Sequence, residues 1–306
     1  MSSLLEKKLK TQEIAKDFLI PFSVQGLILG IAGCVLTVPV IYIILKSNLR
    51  KLHSDLVMSG ILCFNNLIIS TSLFFTSIFI LCGYNAIVYN DYLCDTQMIT
   101  MTVPLVINSY IISLISFERC LLIVYNIKLS NLIYIVFTFT LFAIPMAFTF
   151  RGLIVDHTII SMTGVYAIAS PAMSTKFPIL AVYLGLGLIS MVVVIASYIN
   201  ILVFRIAHLN QNRQNLNISK EEIFKQKLRI IFKSLLILFL FLFNHSGKLW
   251  MLFNDVVLKA PRTLLLDAIT ENLIIYSTIT DVTLLLVMNI EIRKKFWNFF
   301  KLKSNE

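Results

Sequence analysis

Seven apolar runs, each of about 20 residues or more, divide this 306-residue chain, and they constrain its fold more than any other feature. A hydrocarbon core ~30 Å thick is crossed by roughly 20 apolar residues in α-helical form, and each run meets that length. The runs lie at 20–45, 56–82, 93–125, 131–151, 177–206, 230–254 and 264–288. With 58% hydrophobic and only 14% charged residues, a water-soluble domain of this size has too little polar surface. The fold class expected is an all-α membrane protein, a seven-transmembrane helix bundle. Helices are the natural spanning element here, because backbone groups in hydrocarbon must be satisfied within the segment.

Seven crossings put the two ends of the chain on opposite faces. Seventeen of the 26 Lys and Arg residues fall on the face that carries the C-terminus, and nine fall on the other. This asymmetry places the C-terminus in the cytoplasm and the N-terminus outside, in a multi-pass protein of the plasma membrane. Lys7, Lys8, Lys10 and Lys16 pull the other way. Because the basic residues sit between apolar runs, the net charge of +10 reads as membrane topology, with no nucleic acid among the expected partners. Residues 1–17 are polar and show no cleavable signal, so the first span is expected to direct insertion. The organisation expected is an extracellular N-terminus (1–19), a helical bundle (20–288), and an amphipathic cytoplasmic helix with a tail (289–306). In that last segment Ile292, Phe296, Phe299 and Phe300 share one helical face. Arg293, Lys294 and Lys301 reach water and lipid headgroups, which makes membrane lipid an expected partner.

The third run ends in Ile115-Ser116-Phe117-Glu118-Arg119-Cys120-Leu121. Two charges are costly in hydrocarbon, so their place at the end of the run marks a membrane boundary with a task there. Cys94 stands 25 residues before Arg119. Other signals follow in order: Gly33-Cys34 in the first run, Leu49-Arg50 after it, Asn65-Asn66-Leu67 in the second, Ser197-Tyr198-Ile199-Asn200-Ile201 in the fifth, and Asp281 to Leu285 in the seventh. Taken together this series resembles the rhodopsin-like G-protein-coupled receptors over nearly the whole chain. The chain also departs from that family's pattern. Cys120 replaces the tyrosine after the arginine, and Phe241-Leu-Phe-Asn-His245-Ser-Gly247 has neither the tryptophan nor the proline of the sixth helix. Val282 and Leu285 replace the proline and tyrosine of the seventh, Ser190 stands near the fifth-helix proline position, and no tryptophan marks the fourth. The 152–176 loop has no cysteine to pair with Cys94.

The resemblance implies roles for particular residues. Glu118 and Arg119, with Tyr198 and Asp281, would form the switch that couples to a heterotrimeric G protein. The alternative for Arg119 is a side chain that merely snorkels to the headgroups. Met101, His245, Lys248 and Glu271 would line the pocket for an extracellular small molecule or peptide, with Lys248 and Glu271 neutralising each other or meeting a charged ligand. Asp281 is an ionisable group inside an apolar run. With Asn65, Asn66 and Asn108 nearby, it would hold water or, less favourably with asparagine in place of a second acid, sodium. Cys94 would bond Cys82 or stay a thiol, and Cys34 and Cys63 read as small packing residues. Asn217-Ile-Ser219 fits a glycosylation acceptor on the cytoplasmic side, where it goes unused.

The five cysteines (34, 63, 82, 94, 120) have no metal-type spacing, and no metal or cofactor is expected. No cluster of residues has nucleophile or metal-ligand spacing, so an enzyme is not expected. Ile275 stands where retinal-binding opsins need a lysine, and Met101 where amine receptors need an aspartate. The divergence resembles that of invertebrate chemosensory receptors, which implies a small chemosensory ligand, with a neuropeptide next. Two alternatives stay open: a seven-span transporter or ligand-gated channel subunit, and a receptor-like protein that no longer signals. A transporter should show several intramembrane charges or paired broken helices, and Asp281 stands nearly alone.

Overall fold

The computed structural model describes residues 2–46, 54–155, 159–160, 165, 167–168, 177–216, 220–259 and 263–303. Leu49-Arg50, Asn217–Ser219 and most of 156–176 lie outside the described residues. The elements in chain order are α1 (Ser2–Ile14), α2 (Lys16–Lys46), α3 (Ser54–Leu81), α4 (Ala86–Tyr89), α5 (Asp91–Gln97) and α6 (Val103–Val124). They continue with α7 (Asn131–Val155), β1 (Ile159–Ile160), β2 (Ala167–Ile168), α8 (Phe177–Leu216), α9 (Lys220–Phe253), α10 (Leu264–Met288) and α11 (Ile290–Lys303). A π-helical turn, Met98–Thr102, joins α5 to α6, and a second, Asn254–Leu258, ends α9.

Among the described residues, seven helical stretches are long and apolar enough to cross a bilayer: Lys16–Lys46, Leu56–Leu81, Asp91–Val124, Asn131–Arg151, Leu180–Gln211, Lys225–Leu258 and Leu264–Val287. The chain is an all-α, seven-span, multi-pass membrane protein. Beside the helices there is a single two-residue antiparallel ladder among the described residues, Ile159 opposite Ile168. The outward faces of the spans are apolar, with Ile28, Val35, Phe139, Ile189 and Phe239 all exposed, as lipid-facing surfaces require.

The third span is the hub. Of its most apolar stretch 82% is buried, whereas no other span exceeds 47%. It packs against α3, α7, α8 and α10. The tightest pair is α2 with α3, where Gly26, Gly30 and Gly33 form a stripe along one face of α2. A Cβ on Gly30 would lie 2.9 Å from Ser70 O and 3.0 Å from Phe74 N, both backbone atoms, so the two helices touch main chain to main chain. Small residues at this spacing let spans approach and gain dispersion contacts that lipid cannot match.

The polar ends are more structured than composition implies. The N-terminal segment, expected only as an extracellular tail, forms α1. Likewise α8 runs to Leu216 and α9 starts at Lys220, so most of the hydrophilic 207–229 connection is helical. Its Lys, Glu, Gln and Arg residues are good helix formers, and Glu221 meets Lys225 at 2.9 Å one turn on. At the other end Asn289 breaks α10 with extended dihedrals and caps α11, accepting from Ile292 N at 3.0 Å. Ile292 and Phe296 of α11 are buried against Val40, Ile43 and Leu285, while Phe299 meets the Tyr42 ring at 5.8 Å. Phe300 and Trp297 stay exposed, on the side a leaflet would cover.

Candidate functional site

The midsection of the bundle holds a buried polar joint. Asn65 and Asn66 follow one another on α3, and both meet Asn108 of α6. Asn65 Nδ2 donates to Asn108 Oδ1 at 3.1 Å, and Asn108 Nδ2 donates to Asn66 Oδ1 at 2.6 Å. Asn66 is in turn the side-chain neighbour of Asp281 on α10, with Cys63 close to the same carboxyl. All four polar residues are less than 5% exposed. The second, third and seventh spans are thus tied through amides and one acid, and the four residues singled out from the sequence do come together.

Asn66 Nδ2 and Asp281 Oδ2 are buried and make no short hydrogen bond, although the Asn66 amide is a hydrogen-bonding neighbour of that carboxyl. The side-chain oxygens of Asn66 and Asn108 each accept an N–H bond. A water beside Asn66 and Asp281 would accept from the amide and donate to the carboxylate, whereas a cation would face the amide donor. No group of three or more His, Cys, Asp or Glu with metal-binding geometry exists among the described residues.

At the C-terminal end of the third span, Glu118 is buried and Ser54 Oγ, at the start of α3, donates to its Oε1. Tyr134 of α7 lies close to the same carboxylate. Ser54 was not among the residues read from the sequence; the only cue was its place two residues before the second apolar run. Arg119 is half-buried. Tyr198 is buried in a cluster with Val194, Ile237, Phe241 and Leu284, which joins α8, α9 and α10. The four switch residues therefore occupy three neighbourhoods: Glu118 with Ser54, Tyr198 between α9 and α10, and Asp281 in the amide joint.

The four residues expected to line one ligand pocket divide as well. His245 and Lys248 face a small cavity of about 20 Å³ between α6, α8 and α9, together with Ser109, Tyr183 and Leu252. Phe241 stacks obliquely on the His245 ring at 4.8 Å, and His245 Nε2 has no partner. Met101 packs elsewhere, with Phe22, Leu73, Ala268 and Ile275, because it sits in the π-turn, which rotates it toward α2, α3 and α10. Glu271 is buried on α10 and does not line the His245 cavity. Met101 and Glu271 are outside the lining of the His245–Lys248 cavity. Tyr183 of that lining meets Thr149 Oγ1 through its OH at 2.5 Å, and Tyr110 OH donates to Tyr183 O at 3.3 Å. This chain across α6, α7 and α8 left no signal in the sequence, since lone tyrosines and threonines are common in apolar runs.

No disulfide joins Cys82 to Cys94. Cys82 is exposed at the end of α3, whereas Cys94 is fully buried inside α5, so of the bond and the thiols left open by the sequence the structure has the thiols. A different tie holds this face. Lys8 of α1, 1% exposed, pairs with Asp91 at 2.7 Å and donates to Ile87 O at 3.4 Å, fastening the N-terminal helix over α4. Gln97 Nε2 reaches Val165 O at 3.0 Å and Thr76 Oγ1 at 3.2 Å.

No protein-family model matches the chain, and no curated protein does either. What can be said beyond a seven-span membrane protein rests on these residues.

Proposed function

We propose that this chain is a receptor of the rhodopsin-like type, which binds an extracellular ligand and activates a heterotrimeric G protein. The observation that carries this reading is the joint Asn65–Asn108–Asn66 beside Asp281. A buried polar contact between three spans has few alternative partners in hydrocarbon, so it favours discrete arrangements of those spans over a continuum. The third span runs through that joint, passes the His245–Lys248 cavity on one side and ends at Glu118-Arg119 on the other. A ligand that favours one arrangement would shift the population of both ends together.

On this reading the N-terminus is outside, and the ligand enters near His245. The cavity holds about one water as it stands. A ligand must part α9 from α6 and α8, which links binding to helix movement. A small chemosensory molecule with a hydrogen-bonding group for His245 Nε2 fits this space better than a neuropeptide. Arg119 would contact the G protein when Glu118 remains held by Ser54.

The test is nucleotide exchange by a panel of Gα subunits fused to the C-terminus, comparing wild type with Arg119→Ala. Fusion raises the local concentration of the partner, so basal coupling becomes measurable. Exchange that falls with the substitution supports coupling. No exchange with any Gα at normal surface expression, together with ion flux through the protein, refutes the receptor reading in favour of a channel or transporter.

A further inference from the structure

A cavity lies outside the helix bundle, on its bilayer face. It measures about 490 Å³, a size typical of small-molecule sites, and is a groove between α3 and the α5–π-turn segment. Its walls are apolar: Phe75, Phe79 and Leu93 are exposed along it, Leu67 closes the deep end and Ile87 of α4 forms the roof. Among the described residues no charged side chain lines it. The groove exists because the π-turn Met98–Thr102 interrupts the regular helix opposite α3, while α4 and α5 fold over the top. Tyr84, Tyr89 and Tyr92 are exposed just beyond the roof, the distribution of an interfacial aromatic belt. That sets the opening below headgroup level, in contact with hydrocarbon.

The hydroxyls of the groove give it chemical character. Thr100 Oγ1 donates to Thr96 O at 2.8 Å, so the 3.0 Å contact between Ser72 and Thr100 spends the proton of Ser72. Ser72 Oγ keeps only acceptor capacity. Thr76 Oγ1 accepts from Gln97 at 3.2 Å and retains its own proton to donate. One turn apart on α3, these two side chains offer an acceptor and a donor to one ligand group. A hydroxyl satisfies both, whereas an alkyl chain satisfies neither. Thr76 lies about 8 Å below the end of α3, and roughly 14 Å of helix separates it from Leu67, by the rise per residue. A molecule with its hydroxyl at Thr76 has that length of apolar groove for its hydrocarbon.

We infer that this groove is a binding site, entered from the bilayer, for a neutral lipophile that carries one hydroxyl on a hydrocarbon body, of the long-chain or polycyclic alcohol class. It is separate from the His245 cavity and does not depend on the receptor reading. Lys8, through Ile87 O, holds the roof in place, so the N-terminal helix is part of its support.

The experiment uses the full chain in phosphatidylcholine nanodiscs with two photoreactive probes, a diazirine-bearing long-chain alcohol and the matching alkane. Cross-linked peptides are mapped by mass spectrometry. The alcohol is expected to label 67–79 and 93–100 saturably and to be displaced by unlabelled alcohol, while the alkane labels the lipid-facing helices evenly. Ser72→Ala and Thr76→Val should each weaken apparent affinity for the alcohol about threefold to tenfold, the effect of one hydrogen bond. Thr96→Trp, at an exposed position that does not disturb the core, should abolish saturable labelling. Equal labelling by the two probes, or unchanged affinity in both hydroxyl variants, overturns the inference and leaves a groove filled by ordinary acyl chains.

Discussion

The Lys8–Asp91 pair makes an asymmetric prediction. Its two ends differ in burial: the lysine side chain is 1% exposed and the aspartate 39%. Removing one partner of a fully buried pair costs about 3–5 kcal/mol, because the remaining charge stays desolvated. Asp91→Ala leaves the Lys8 ammonium with Ile87 O alone, at 3.4 Å. Since water reaches part of Asp91, the cost is discounted to about 2–3 kcal/mol. Lys8→Met removes the buried charge and keeps most of the volume, while Asp91 turns to solvent, so its cost is about 0–1 kcal/mol. The strain is released by undocking α1, which packs on α2, α4 and β1, and not by unfolding the spans. Hydrogen exchange of peptide 2–14 in nanodiscs reads that opening directly. In Asp91→Ala it should accelerate about 30- to 150-fold, and in Lys8→Met less than about fivefold. The double variant should return to the Lys8→Met rate. If Lys8→Met opens α1 as much as Asp91→Ala, desolvation of the lysine is not what governs the contact.

Gly30→Ala should lower stability by about 1–3 kcal/mol in detergent unfolding, because its Cβ meets the backbone of Ser70 and Phe74, whereas Gly185→Ala, with nothing within 4 Å, should be neutral or stabilising. Asn108→Ala strands Asn65 Nδ2 and Asn66 Oδ1 and should cost about 1–3 kcal/mol, measured the same way, at the scale of two interhelical bonds in a membrane. Asn289→Ala removes the cap of α11 and should reduce its protection from hydrogen exchange by about 1 kcal/mol, with the seven spans unaffected.

Much of the candidate site was visible in the sequence as a set of residues and hidden as an arrangement. Asn65, Asn66, Asn108 and Asp281 stood out because polar groups inside apolar runs are expensive and must find each other. That logic succeeded. Met101 packs apart from His245, since a π-turn shifts the register by one residue and an ordinary helical count does not see it. For Cys82 and Cys94 the sequence left bond and thiols open, because position at a helix end says nothing of which way each side chain points. Ser54, Thr149 and Tyr183 gave no signal, because hydroxyls can satisfy themselves on their own helix and so cost little anywhere.

The sequence alone determined the seven spans and the amphipathic helix after them. Both follow from local quantities, the length of an apolar run and the period of its polar residues, which need no knowledge of neighbours. Tertiary structure decided which residues meet. The contacts of Lys8 with Asp91, of Asn66 with Asn108 and of Gly30 with Ser70 join residues remote in the chain. In a bundle whose outer faces are all wetted by lipid, hydrophobicity hardly distinguishes one helix rotation from another. Small residues, buried amides and one π-turn set the rotations, and through them the joint and the bilayer-facing groove.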